Sequence, residues 1–250
     1  MPETHEERDE EGRLLSTFQM ENGALHGEVV NYGESGAVAQ RTHYKEGKLH
    51  GARITLDPEG RELERASFED GKLSGETLLY DESGRLAQVV PFKNGEQEGV
   101  TRLYQDGKLR TMITFAKGKQ NGPFVSYDEF GKELVRSSYK NGKLEGEALF
   151  MDGSGKTLRK ASYRADKLHG EVIEYHANGK IREKAIYDNG RKNGEALSFD
   201  DQGKLRSKAT YRDGELRGEI VEYDDQGQVK PKDEKKGSFL GKVVTKLSGG

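Results

Sequence analysis

The chain has 250 residues, of which 32% are hydrophobic and 34% charged, with a formal net charge of −3. It has no cysteine, which excludes disulfides and thiolate metal sites. The mixed charges leave no basic footprint for nucleic acid, and no run of about 18 apolar residues is present to span a bilayer.

Residues 1–8 are acidic, lack the apolar core of a signal peptide, and read as a disordered N-terminus. An entering half-unit runs from Asp9 to Gln19, and a repeat then begins. Its anchors are Met20, Tyr44, Phe68, Phe92, Phe115, Tyr139, Tyr163, Tyr187 and Tyr211, spaced by 24 residues except for 23 between Phe92 and Phe115. The missing residue is in Tyr104-Gln-Asp-Gly107, the counterpart of Tyr80-Asp-Glu-Ser-Gly84. Each unit reads aromatic-x-Asn/Asp-Gly-Lys-Leu-x-Gly-Glu, an apolar stretch, then aromatic-Asp-x-x-Gly-Lys/Arg-Leu. Fixed periods of this length mark arrays whose units stack on their neighbours.

Both turns of the unit are hairpin turns. Asn-Gly or Asp-Gly, as at Asp70-Gly71, Asn94-Gly95, Asn141-Gly142, Asn189-Gly190 and Asp213-Gly214, suits a two-residue I′ loop, because these residues accept positive φ. Asp-x-x-Gly, as at Asp81–Gly84 and Asp128–Gly131, suits a four-residue loop built on a type I turn. The intervening segments alternate with period two, as in Leu205, Ser207, Ala209 and Tyr211. The prediction is all-β: an elongated, single-layer antiparallel β-meander over residues 9–227, about 85 Å long at roughly 4.8 Å per strand. Residues 228–250 then form a charged linker and a short amphipathic tail.

Counting outward from the I′ turns places Arg136 opposite Glu147, Arg65 opposite Glu76, Lys160 opposite Glu171, Lys184 opposite Glu195 and Lys208 opposite Glu219. Val89 then faces Val100, and Met112 faces Pro123. Thr17 with Glu28 and Arg41 with Ala52 do not fit this column. The same count sets small residues such as Ala66 and Ser137 against the second repeated glycine (Gly75, Gly146), as a flat trough beside each anchor. The anchors line one face, and Tyr32, Tyr80, Tyr104, Tyr127, Tyr175, Phe199 and Tyr223 line the other. His43 is expected to face His50, with His26 two strands away. Surface histidine at tolerant repeat positions is a plainer reading there than a metal site.

The unit resembles the MORN repeat, and more closely its bacterial variant in antitoxins of the YwqK type. Tyr139-Lys-Asn-Gly-Lys-Leu-Glu-Gly-Glu is a clean copy, and the match covers residues 9–227. That resemblance implies a cytoplasmic, non-enzymatic protein-binding module that neutralises a partner toxin or effector. The alternative is a scaffold or membrane-surface adaptor. Departures from the pattern are Gln97 and Gln120 in Leu places, Arg102 in an aliphatic place, Leu56 and Met151 in aromatic places, and Asp166 for Gly. A weaker similarity, through Tyr80-Asp-Glu-Ser-Gly-Arg-Leu86, is to the YD repeats of large toxin shells.

No enzyme motif is present, and no catalytic residue, metal or cofactor is expected. The informative irregularity runs from Val89 to Phe124. It loses the charge pair and the Leu column twice each while gaining Arg102, Arg110, Met112 and Phe124. With Tyr104 these are the candidate partner-contact residues, since Arg, Tyr, Phe and Met are enriched at interfaces. In the tail, Phe239, Leu240, Val243, Val244 and Leu247 would share one face of a helix, as the docking segment for a protein groove or membrane surface.

Overall fold

The computed structural model describes residues 3–231. They are all-β: every described pairing is antiparallel and joins strands adjacent in the meander. Two compact units are present, Met1–Lys167 and Leu168–Gly250, and each runs as strand, I′ turn, strand, four-residue turn. The N-terminus differs from the expectation of disorder. Glu3–Arg8 is a strand paired with Leu14–Glu21, closed by the same Asp-x-x-Gly turn at Asp9–Gly12. His5 stacks on Phe18 with ring centroids 5.3 Å apart, and the Ser16 hydroxyl donates to Glu7 at 3.0 Å.

The two turn chemistries are as the sequence predicts. Asn94, Asn141 and Asn189 hold φ of 53°, 52° and 48°, each followed by a glycine at positive φ. That glycine's N–H does a second job: it donates to the carbonyl of the preceding hairpin. Gly95 donates to Leu73 at 2.8 Å, Gly142 to Gln120 at 2.7 Å and Gly190 to Leu168 at 2.8 Å, so neighbouring turns are bonded tip to tip. Asp166, which replaces the glycine, keeps the bond to Leu144 through its own N–H at 3.0 Å. Its carboxylate adds a second by accepting the Leu144 N–H at 2.7 Å. In the four-residue turns the aspartate side chain accepts two backbone N–H groups, as Asp81 does from Ser83 and Arg85, both at 2.9 Å.

The register differs from the sequence count. Near the I′ turn Tyr139 faces Leu144, but further out Arg136 faces Leu149 rather than Glu147. Two residues have been absorbed between these pairs. The same step takes Phe68–Leu73 to Arg65–Leu78, and Tyr211–Leu216 to Lys208–Val221. It occurs at the second repeated glycine, which is a bulge residue and not the floor of a trough: φ is 91° at Gly75, 84° at Gly146 and 129° at Gly194. A β-carbon on Gly194 would come within 3.2 Å of Ile186, a tight contact, and at a φ of 129° any other residue would be strained.

The step reverses the direction of the charge column. Where the following strand, reached through the four-residue turn, carries a base, the Glu pairs diagonally with it. Glu28 bonds Arg41 at 3.2 Å, Glu147 bonds Lys160, Glu171 bonds Lys184 and Glu195 bonds Lys208, the last three at 2.5 Å. Arg41, an exception to the sequence count, therefore belongs to the column. Where the preceding strand offers Ala52 or Pro123 instead of Glu, Arg65 and Arg136 turn to Glu62 and Glu133 on their own strands. Val89 lies between Leu78 and Arg102, and Met112 faces Val125 rather than Pro123. His43 falls inside the bulged stretch between Thr42 and Tyr44. His50 therefore lies 3.9 Å from Asp70.

Burial follows small residues. Ala66, Ala148 and Ala161 are fully buried, whereas no large side chain among the described residues is. Ala148 faces Ala161, and Ala196 faces Ala209. Long side chains lie over the anchor-bearing face: the Arg53 guanidinium sits 5.0 Å above the Phe68 ring, and the Arg159 guanidinium 5.6 Å above Phe150.

Two outcomes follow from this geometry. A double-mutant cycle on Lys184 and Glu171 should give a coupling of about 0.2–1 kcal/mol, and one on Lys184 and Glu195 none. The reverse result would restore the register counted from the sequence. The second concerns acid. Asp81 is held below the usual carboxylate range, first by the Arg85 N–H, against some loss of hydration, and then by the Arg85 guanidinium and the Ser83 N–H. Asp200 is likewise lowered, first by the Lys204 N–H. A depressed folded-state pKa contributes stability above the unfolded value, which is lost as pH falls through the folded one. The melting temperature should therefore drop below about pH 4. In the Asp81→Asn/Asp200→Asn variant that drop should be smaller; an unchanged acid limb would acquit these turns.

Candidate protein-contact site

The shortened connection explains itself in the backbone. Gln105-Asp106-Gly107-Lys108 closes as an I′ turn, with φ of 53° at Asp106 and 73° at Gly107 and with Gln105 facing Lys108. Its neighbours on that edge of the sheet are four-residue turns, so this tip is set back. The next turn, Asp128–Gly131, stands beside the resulting notch, and Lys108 Nζ donates to its Glu129 carbonyl at 3.0 Å. Phe130, at the apex of that turn, is 78% exposed, more than any other large apolar side chain among the described residues. Arg110, Tyr127 and Leu134 line one concavity beside it, and Lys108, Leu109 and Tyr127 a second.

The sequence-predicted residues do not form one patch. Arg102 faces Met112 directly, and Tyr104 is on the same face two residues on. Arg102 also bonds Glu76 at 3.4 Å across the intervening strand. It does so because Val89 occupies the place where other strands carry the base that Glu76 would meet. Phe124 is on the opposite face, between Ile113 and Ser137, with its ring 6.1 Å from that of Tyr139. Arg110 is the extra residue of the bulge opposite Leu103 and Tyr104, and its Nε is buried without a hydrogen-bond partner. It alone of the five reaches the notch. The tail residues Phe239, Leu240, Val243, Val244 and Leu247 lie outside the described residues.

Phe130 is the residue the sequence reading passed over, and the signal was there. The equivalent turn positions hold Glu11, Ser35, Glu59, Ser83, Ser154, Asn178, Gln202 and Gln226, all polar. An aromatic at the apex of a water-facing turn has no role in the repeat's own packing.

Comparison with known proteins bears on the repeat. The family described as MORN repeat variant matches residues 73–94, 168–189 and 192–213, which supports a MORN-repeat protein, a class of protein- and membrane-binding modules. No curated protein matches. Among solved structures, the chain is similar to one titled as the crystal structure of TcdB2-TccC3-TEV, at 12% identity and a TM-score of 0.21. That match covers 91% of this chain and 16% of the other. Another is a putative 6-phosphogluconolactonase from Bacteroides uniformis, at 11% identity and a TM-score of 0.16, covering 89% of this chain and 82% of the other. With TM-scores this low, neither likeness bears on function.

The geometry separates two phenylalanines that the sequence cannot. Phe124→Ala should lower stability by about 2 kcal/mol or more in urea unfolding, because it removes a ring packed on the sheet. Phe130→Ser should leave the unfolding midpoint unchanged within about 0.5 kcal/mol. A large loss at Phe130 would mean that the ring is structural.

Proposed function

We propose that this chain is a non-enzymatic protein-binding module of the cytoplasm that neutralises a partner toxin or effector, and that it grips the partner at the Phe130 notch. The observation that carries the contact site is Phe130 itself, an exposed ring above a concavity, with the Arg110 guanidinium beside it. An apolar side chain of the partner can seat between Phe130 and Tyr127 while a carboxylate meets Arg110. Aromatic and Arg anchors flanking a pocket are the arrangement that concentrates binding energy in few residues. The class of partner rests on the resemblance of the Asn-Gly-Lys-Leu-x-Gly-Glu unit to the antitoxin family.

The test is co-expression with a toxin or effector encoded beside the gene, followed by titration of the purified pair. The intact chain should restore growth and form a stable complex. Phe130→Ser should weaken binding by about 2 kcal/mol, roughly 30-fold, and Arg110→Ala by a similar amount. Ile220→Ser, at an exposed apolar side chain that does not line the notch, should not weaken it. Equal losses at Ile220 and Phe130 would remove the notch from the proposal. Absence of both complex and protection would remove the partner.

A further inference from the structure

We propose that three successive I′ turns, residues 116–119, 140–143 and 164–167, form a docking edge for an acidic polypeptide segment. The two residues that flank such a turn face each other across it. In most of the repeats one of them is an acid: Glu21 faces Ala24, Glu69 faces Lys72, Lys93 faces Glu96, Asp188 faces Arg191 and Arg212 faces Glu215. In the three turns named, no flanking residue is an acid. Ala116 faces Lys119, Lys140 faces Lys143, and Arg164 and Lys167 flank the third. Lys45 and Lys48 also face each other, but that turn has Glu46 at its tip and an acid-bearing turn in the repeat on either side.

The three tips stand side by side, because the Gly142 N–H donates to Gln120 at 2.7 Å and the Asp166 N–H to Leu144 at 3.0 Å. Together they present Lys117, Lys119, Lys140, Lys143, Arg164 and Lys167, all exposed. Among the described residues none of these six side chains has an ion pair or a hydrogen bond. The carboxylates nearby are engaged by main chain: Glu98 accepts the Lys117 N–H at 2.8 Å, Glu145 the Ala165 N–H at 3.0 Å and Asp166 the Leu144 N–H at 2.7 Å. Six cations against three carboxylates leave the row positive. Two of its features oppose folding. Lys140 and Lys143 are like charges placed directly opposite each other. Lys117 holds a φ of 50°, in a place where most of the turns carry Asn or Asp. Nothing among the described residues offsets either cost, and local rules broken without an internal gain mark functional surfaces.

Sign and spacing give the partner's chemistry. Successive tips are two strands apart, close to about 10 Å, and an extended chain covers that distance in about three residues. An acidic residue at every third position therefore meets one turn after another. A flat anionic membrane fits less well, because it would press Glu98, Glu145 and Asp166 against its own charge, whereas a peptide can place its carboxylates between them. The row is at the opposite ends of the strands from Phe130, so this inference does not rest on the notch.

The experiment titrates the intact chain into a labelled peptide of Glu-Ala-Ser repeats, long enough to span three turns, and reads fluorescence anisotropy. The Glu peptide should bind, its Gln-for-Glu counterpart should not, and binding should weaken as salt is raised. Lys140→Glu/Lys143→Glu should lower the affinity about tenfold. Lys45→Glu/Lys48→Glu, the same change of net charge at the other like-charged turn, should lower it less than about twofold. Lys119→Ser/Lys167→Ser, which introduces no new charge, should also weaken binding while leaving the urea midpoint in place. Equal losses at the two like-charged turns, or no preference of the intact chain for the Glu peptide, would overturn the proposal. Tighter binding to phosphatidylserine vesicles than to the peptide, lost in Lys140→Glu/Lys143→Glu, would assign the row to a membrane surface and overturn the peptide reading.

Discussion

The register of the hairpin that opens each repeat depends on one backbone constraint, the positive-φ second glycine of the repeat. At Gly75, Gly146 and their equivalents the strand takes up two more residues than its partner, so pairing outward of the bulge is offset from pairing beside the turn. That offset decides which residues meet. It brings Leu149, not Glu147, opposite Arg136, and it frees Glu147 for Lys160 on the following strand. The sequence shows the compensation too. A Glu three residues before the base occurs at Glu62 and Glu133, where the preceding strand has no Glu to offer. Arg41, which looked like an exception, joins the charge column once its direction is reversed.

Such a sheet has little use for large buried side chains. Its fully buried residues are alanines at the strand centres, with aromatic rings and long cationic side chains laid beside and over them. Small residues let neighbouring strands and their flanking rings close on one another without a second layer. A chain with 32% hydrophobic residues can therefore order itself. Cohesion between repeats comes from main-chain pairing and from the bonds between successive turns, such as Gly95 to Leu73. Each hairpin is thus fixed chiefly by its neighbours, the nearest-neighbour logic of repeat proteins.

Irregularities in such an array divide into those the array itself answers and those it does not. Arg102 is answered, because it supplies Glu76 with the cation that Val89 withholds. Phe124 is answered by Tyr139. Asp166 is answered by the Leu144 main chain, which its carboxylate bonds. Phe130 is answered by nothing among the described residues, and it stands over a notch created by a shortened turn. An aromatic ring kept in water without an intramolecular partner is the feature that points outward from this molecule.

Local chemistry was legible in the sequence because it depends on few consecutive residues. Asn-Gly and Asp-x-x-Gly named both turn types, period-two alternation named the strands, and the 24-residue recurrence named an antiparallel meander. The sequence also held the identity of the charge column, Glu after the second glycine and a base in mid-strand. Its direction was not legible. Counting outward from a turn assumes equal lengths on both sides, and a glycine does not announce whether it is a small residue or a bulge. The strand Glu3–Arg8 was hidden for a similar reason, since its acidic run has meaning only against Phe18 and Ser16 across the turn. Nor could the list Arg102, Tyr104, Arg110, Met112 and Phe124 reveal that its members occupy both faces and an edge. The sequence by itself determined the turns, the strands and the repeat, all set by backbone preferences within a few residues. The partner of each charge and the exposure of Phe130 were decided by the tertiary structure, because both depend on how far one strand has slipped past the next.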